Sequence, residues 1–127
     1  MQFTVLFAGL PVADIDSGRA WYERLLGRPA DLVPNANEVA WRITDAGWVY
    51  VVGDVDRAGR SLLTVIVDDL AEQVAALAGR GLVAGAIETM PQVGRRAAVT
   101  DPDGNRITFA ELVPGDADRH PTGTPLR

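Results

Sequence analysis

The side chains of this chain that could do chemistry are few, and most carry an ordinary structural explanation beside the functional one. Glu111 follows Phe109 by two residues in the strand-like run Asn105–Val113. Successive side chains of a strand point to opposite faces, so these two share one. On an interior face the glutamate could meet a cationic or hydroxyl group of a ligand, or serve as a general base; at a strand end it would simply pair with an arginine. Trp41, Trp48 and Tyr50 crowd aromatic area into one stretch of a chain that is 6% aromatic. Trp48 and Tyr50 share a strand face, and such rings grip planar or apolar ligands while a phenol or indole N–H fixes orientation. Core packing or a dimer seam would use them equally well. Arg42, Arg95 and Arg96 are candidate anion clamps or solvated edge charges, and adjacent Arg95 and Arg96 cannot both face inward from one strand.

Other chemistries are poorly supplied. Cysteine is absent and there is 1 histidine, His120, so disulfides, thiolate nucleophiles and cysteine-held metals are excluded. Asp101, Asp103 and Asn105 suggest calcium, but the rest of an EF-hand loop of oxygen ligands is missing. Asp101-Pro102-Asp103-Gly104 reads as a tight hairpin turn, with proline early and glycine last.

Composition narrows the class further. The chain has 127 residues, 47% of them hydrophobic, enough for one domain with its own core. Its net charge is −5, and arginine supplies all 12 of its Lys+Arg positions. A broad nucleic-acid footprint is therefore not expected; the acidic balance serves solubility and would also favour a cationic ligand. No stretch approaches the roughly 18 consecutive apolar residues of a membrane span. Met1–Leu6 has no basic n-region, so a secretory leader is not expected. A cytoplasmic setting suits the lack of cysteine.

The elements that must position these residues follow from pattern. Phe3–Leu10 reads as a strand, continued by Pro11 and Val12. Asp14 or Asp16 can cap a helix in which Trp21 and Leu25, and Tyr22 and Leu26, pair along one face. Gly27 and Pro29 end it, and Trp21 and Tyr22 read as rings packed on a sheet. Asp31–Pro34, Glu38–Ile43 and Trp48–Val52 are strand-like, with Thr44–Gly47 as a hairpin turn. Gly53–Arg60 is the best linker. Ser61–Val67 is a β-branched strand. Asp68 or Asp69 then caps a helix striped by Leu70, Val74, Leu77 and Ala78, ending near Gly79 and Gly81. Leu82–Ile87, Val93–Thr100 and Asn105–Val113 complete the strands. Pro114–Arg127, rich in proline and glycine, reads as a mobile tail.

The order of elements repeats. Asp14 and Asp69, each opening a helix after a strand, stand 55 residues apart, and each half closes on an apolar strand. A short sheet covered by one helix leaves its other face open, and two such halves can share that face as a cavity. The expected fold is thus α+β, tandem βαβββ modules at about residues 3–53 and 61–113. They would form a curved mixed sheet around a cavity within a single domain, 1–113, followed by a flexible tail, 114–127.

This pattern resembles the glyoxalase/bleomycin-resistance/extradiol-dioxygenase superfamily, also called vicinal oxygen chelate. The residues that carry the resemblance are Leu10–Asp14, Ala20-Trp21-Tyr22 with Leu25-Leu26-Gly27, Val67-Asp68-Asp69-Leu70, and above all Thr100-Asp101-Pro102-Asp103-Gly104-Asn105-Arg106-Ile107 running into Phe109-Ala110-Glu111. In the metal enzymes of that family a ligand, often histidine, comes from the opening strand of each half and carboxylates come from the closing strands. The resemblance puts the opening positions at Phe7 and Leu62 and the closing ones at Tyr50 and Glu111. Phenylalanine and leucine have no lone pair to offer, and one carboxylate falls short of the roughly three or four protein ligands such metals need. No metal and no cofactor is expected.

Phe7 and Leu62 would instead make an apolar cavity floor, joined by Thr64 and Phe109. The implied function is metal-independent binding of a small molecule, of the bleomycin-resistance-like type. The ligand would be apolar or aromatic, with the acidic balance suiting a cation, and its contacts would come from Phe7, Trp41, Trp48, Tyr50, Leu62, Thr64, Phe109 and Glu111. A cofactor-free isomerase or lyase with Glu111 as general base is the alternative, so whether the chain is an enzyme stays open. The resemblance also implies a homodimer.

Overall fold

The structure, a computed structural model, describes residues 1–113; the expected tail and His120 lie outside the described residues. In chain order the elements are β1 (Leu6–Val12), α1 (Ile15–Leu26), β2 (Leu32–Asn35), β3 (Glu38–Arg42), β4 (Gly47–Gly53), β5 (Leu62–Ile66), α2 (Leu70–Gly79), β6 (Glu88–Met90), β7 (Gly94–Thr100) and β8 (Arg106–Leu112). The βαβββ order therefore occurs twice, as the repeat predicts. Each copy builds a four-stranded sheet of the same permuted order, β1-β4-β3-β2 and β5-β8-β7-β6. Both are mixed. β1 runs parallel to β4, from Leu6 opposite Gly47 to Val12 opposite Gly53, while β3 is antiparallel to β4 and β2. In the second sheet β6 and β7 are antiparallel. Hydrogen bonds from Arg106 N to Ser61 O and from Val67 N to Ala110 O join β5 and β8 in the parallel sense.

The helix ends are written in the sequence. Asp14 is extended and its carboxylate accepts from Ser17 N at 2.9 Å, satisfying one of the free donors of the first turn. That backbone bond, with a second from the Ser17 side chain, holds the Asp14 carboxyl below its usual value. Gly27 closes α1 in the left-handed region at φ 75, its N–H bonded to Glu23 O. Asp69 caps α2 through Glu72 N at 3.0 Å. Past its end Gly81, not Gly79, takes the positive φ of 83.

Two compact units are formed: residues 1–63 with 100–106, and residues 64–99 with the chain from 107. In the first, α1 lies along β4. Tyr22 and Leu25 are buried, as are Leu10, Val12, Val39, Trp41, Val49 and Val51 of the sheet. In the second, Leu70 and Leu77 of α2 are buried, with Ala97, Val99, Ile107 and Phe109. No helix among the described residues is long and apolar enough to cross a membrane.

Two expectations need correction. The first strand starts at Leu6 rather than Phe3, which is 90% exposed. Leu82–Ile87 is not a strand. Leu82 N returns to Leu77 O to close the helix, and the stretch gains one sheet bond, Gly85 N to Ala98 O. With glycine and alanine making up much of it, it has little side chain to pack against a neighbouring strand.

Candidate functional site

The register of the first sheet decides which residues share its open face. Phe7 lies opposite Trp48, Gly9 opposite Tyr50, Ala40 opposite Tyr50 and Arg42 opposite Trp48. Strand alternation puts these on one side and Leu10, Val12, Val39, Trp41, Val49 and Val51 on the side covered by α1. Phe7 and Trp48 stack at 5.4 Å between centroids with 20° between planes. Tyr50 meets Phe7 at 6.4 Å, tilted by 55°. Phe7 is 48% exposed, and Trp48 and Tyr50 are half-buried. Three aromatic rings thus form a partly exposed apolar cluster on the sheet face opposite α1, around the buried Ala40.

Trp41 does not join them. It lies opposite Val49, is fully buried, and donates its indole N–H to Arg28 O at 3.0 Å. Its expected ligand contact gives way to a core role, because the Thr44–Gly47 turn sets a register that sends Trp41 and Trp48 to opposite faces.

The second unit corrects Phe109 and Glu111. They do share a face, but it is the covered one. Phe109 is 3% exposed and Ile107 1%, so the large apolar residues of β8 claim the buried side. Glu111 follows them there. One carboxylate oxygen accepts from Leu70 N, the first residue of α2, at 2.8 Å, and Arg95 lies 3.4 Å away. The glutamate thus serves a helix N-terminus, where a negative charge is favoured. Leu62 and Thr64 alternate outward on β5 and are exposed.

The remaining charged candidates are also engaged. Arg42 donates to Asp45 O at 2.8 Å, and Arg96 pairs with Glu88 at 3.1 Å. The turn at 101–105 is a buried polar clasp within the first unit. Asp101 is 4% exposed and Asn105 is fully buried. One Asp101 oxygen accepts from the backbone N–H groups of Asp103, Gly104 and Asn105, each at 2.9 Å. The other accepts from Tyr22 Oη at 2.7 Å and Asn105 Nδ2 at 2.8 Å. Asn105 also donates to Pro11 O at 2.7 Å and accepts from Ser61 N at 2.9 Å. Burial first, and the Asp101 bond second, push the Tyr22 phenol far above its usual value. Where Gly59 passes the turn at φ 83, a Cβ would stand 1.9 Å from Asp103 O.

A cleft of about 90 Å³ lies beside this clasp, between Asp14, Ser17, Trp21 and Asp103. It is far below the roughly 300 Å³ of a small-molecule pocket, and both carboxylates already accept backbone N–H groups. The donor set suits no metal. Among the described residues no group of three or more His, Cys, Asp or Glu could hold one, and the opening position at Phe7 is occupied by a stacked ring.

A repeated βαβββ fold with an aromatic sheet face and no metal-ligand cluster among its described residues defines a class: the metal-poor members of the tandem-βαβββ proteins. A profile of the Glyoxalase/Bleomycin resistance protein/Dioxygenase superfamily matches residues 4–109, and the chain belongs to that family. It is similar to a glyoxalase/bleomycin resistance protein from Catenulispora acidiphila, at 33% identity over 87% of this chain and 100% of the other, with a TM-score of 0.82. A bleomycin-binding protein in complex with bleomycin is 25% identical over 89% of this chain and 99% of its own, with a TM-score of 0.68. An antibiotic-binding protein from a Streptomyces species is 25% identical over 86% of this chain and 95% of its own, also at 0.68. No curated protein matches the sequence.

Proposed function

We propose that this protein binds a planar, apolar or aromatic small molecule on the Phe7–Trp48–Tyr50 face, without a metal and without transforming it. One observation carries the reading: two rings already stacked at 5.4 Å, beside a third, all partly exposed on one strand face. Aromatic area left partly in water is stabilised when a flat ligand covers it. The similarity to a protein solved with bleomycin and to an antibiotic-binding protein supports the same use of the fold. Glu111, the expected general base of the enzyme alternative, is engaged by Leu70 N and Arg95.

The test is a titration of tryptophan fluorescence with metal-free bleomycin and a panel of planar aromatics, run with EDTA throughout. Binding should survive the chelator, and Trp48→Ala should weaken it by about tenfold, as loss of an aromatic contact and its buried area implies. Equal affinity in Trp48→Ala, or no binding by any compound, rules the reading out.

A further inference from the structure

We propose that Gly9 is a specificity-determining residue. By leaving its place empty it lets the Tyr50 ring lie across β1 and present the Tyr50 hydroxyl as a donor to an acceptor atom on a planar ligand. The inference rests on the aromatic face being the binding surface, and it adds the polar half of the ligand's chemistry.

Gly9 sits inside β1, where glycine is unfavourable for want of a side chain to pack and because of its flexible unfolded state. It is not among the residues at positive φ, so backbone conformation does not demand glycine. Space does. A Cβ at position 9 would stand 2.6 Å from Tyr50 Cζ, 2.7 Å from Tyr50 Oη and 3.1 Å from Cε1. The two residues are register partners on neighbouring strands, so the ring leans sideways over the strand next to its own. The contacted atoms are the far end of a side chain that can rotate. Alanine at position 9 would therefore displace the ring rather than break the sheet.

The displaced group matters because of its tip. The Tyr50 hydroxyl has no hydrogen-bond partner among the described residues, although the ring is half-buried. Tyr22 shows the contrast, with its hydroxyl donating to Asp101. A phenol in a partly dry place with a spare proton selects a ligand that carries an acceptor. The ring stack supplies affinity for flat molecules in general, and Tyr50 Oη chooses among them. The ligand class is thus a planar aromatic with a carbonyl, ether or heterocyclic acceptor at its edge.

The experiment compares two probes of nearly one shape, 2-acetylnaphthalene, which has an acceptor carbonyl, and 2-isopropenylnaphthalene, which has none. Dissociation constants are measured by fluorescence for the wild type, Tyr50→Phe and Gly9→Ala. The wild type should prefer the acetyl compound by roughly fivefold, as one net hydrogen bond gives. Tyr50→Phe should lose that preference, its affinity for the acetyl compound falling to that for the isopropenyl compound. Gly9→Ala should lose it too, although the hydroxyl is still present. In the free wild type the Gly9 Hα resonances should be shifted upfield by the ring above them and relax in Tyr50→Leu, which decides the geometry even if Gly9→Ala does not fold. Binding of both probes without preference overturns this inference and leaves the aromatic face standing; so does a Gly9→Ala protein that keeps the wild-type preference, or an absent upfield shift. Binding of neither probe overturns both.

Discussion

Two regions of the first unit offer polar and aromatic groups side by side, and they use them in opposite ways. At the 101–105 clasp every conspicuous group is spent: the Asp101 carboxylate accepts five hydrogen bonds, and Tyr22 and Asn105 are committed to it. On the β1–β4 face the residues look plain, yet the rings are partly exposed and the Tyr50 hydroxyl has no partner among the described residues. The residues that most resemble chemistry in the sequence hold the fold, and the open capacity lies with Phe7, Trp48 and Tyr50. Reactive type alone is a poor guide to a site; what counts is which donors and surfaces remain unsatisfied after folding.

The sharpest way to break this contrast is Asp101→Ala. It strands the backbone N–H groups of Asp103 and Asn105 and the Tyr22 hydroxyl in a place that is 4% exposed, and leaves Gly104 N with Asp101 O alone and Asn105 Nδ2 with Pro11 O alone. Each buried unpaired group costs on the order of 1–3 kcal/mol and the set is not additive, so a loss of about 4 kcal/mol is expected by urea denaturation. The protein that remains folded should still bind planar aromatics. A loss under about 1 kcal/mol would show that the clasp is not structural.

Tyr22→Phe is the milder cut. It removes one donor of the same network and should cost about 1–2 kcal/mol at neutral pH. The pH dependence has a definite sign. The folded Tyr22 phenol is raised above its ordinary 10.0 by burial and by Asp101, so the unfolded chain loses its proton first. The stabilisation is complete below pH 10 and falls as pH rises above it. Urea midpoints measured from pH 8 to 11 should decline for the wild type, and Tyr22→Phe should remove part of that decline. Parallel curves for the two proteins would sink the assignment.

The same contrast explains what could be read from residues alone. The repeat, both helix caps and the sharing of a face by Trp48 and Tyr50 follow from local spacing, which folding preserves. The side taken by Trp41 does not, because it depends on how the Thr44–Gly47 turn registers β3 against β4. Alternation shows that Phe109 and Glu111 share a face but not which one. The deciding facts are the burial of Ile107 with Phe109 and the need of Leu70 N for an acceptor. The sequence reading passes over Gly9 as one of 13 glycines, although a lone glycine inside a strand is itself a sign of close approach. Its partner Tyr50 lies 41 positions along the chain.

The smallest expected effect tests whether Glu111 belongs with the clasp or with the open face. Glu111→Gln keeps an amide oxygen able to accept from Leu70 N, and removes the charge that faces Arg95 and the first turn of α2. The Arg95 pair is long at 3.4 Å, with side chains 42% and 28% exposed, so screening by water leaves it little weight. The favourable charge at a helix N-terminus adds a few tenths of a kcal/mol. The sum should be a loss below about 1 kcal/mol, smaller in high salt. Affinity for planar aromatics should not change, since the carboxylate sits on the covered side of its sheet with Phe109 and Ile107. If Glu111→Gln instead leaves stability untouched and abolishes ligand binding or a measurable turnover, Glu111 is a site residue after all. The division between spent and open groups would then have to be redrawn.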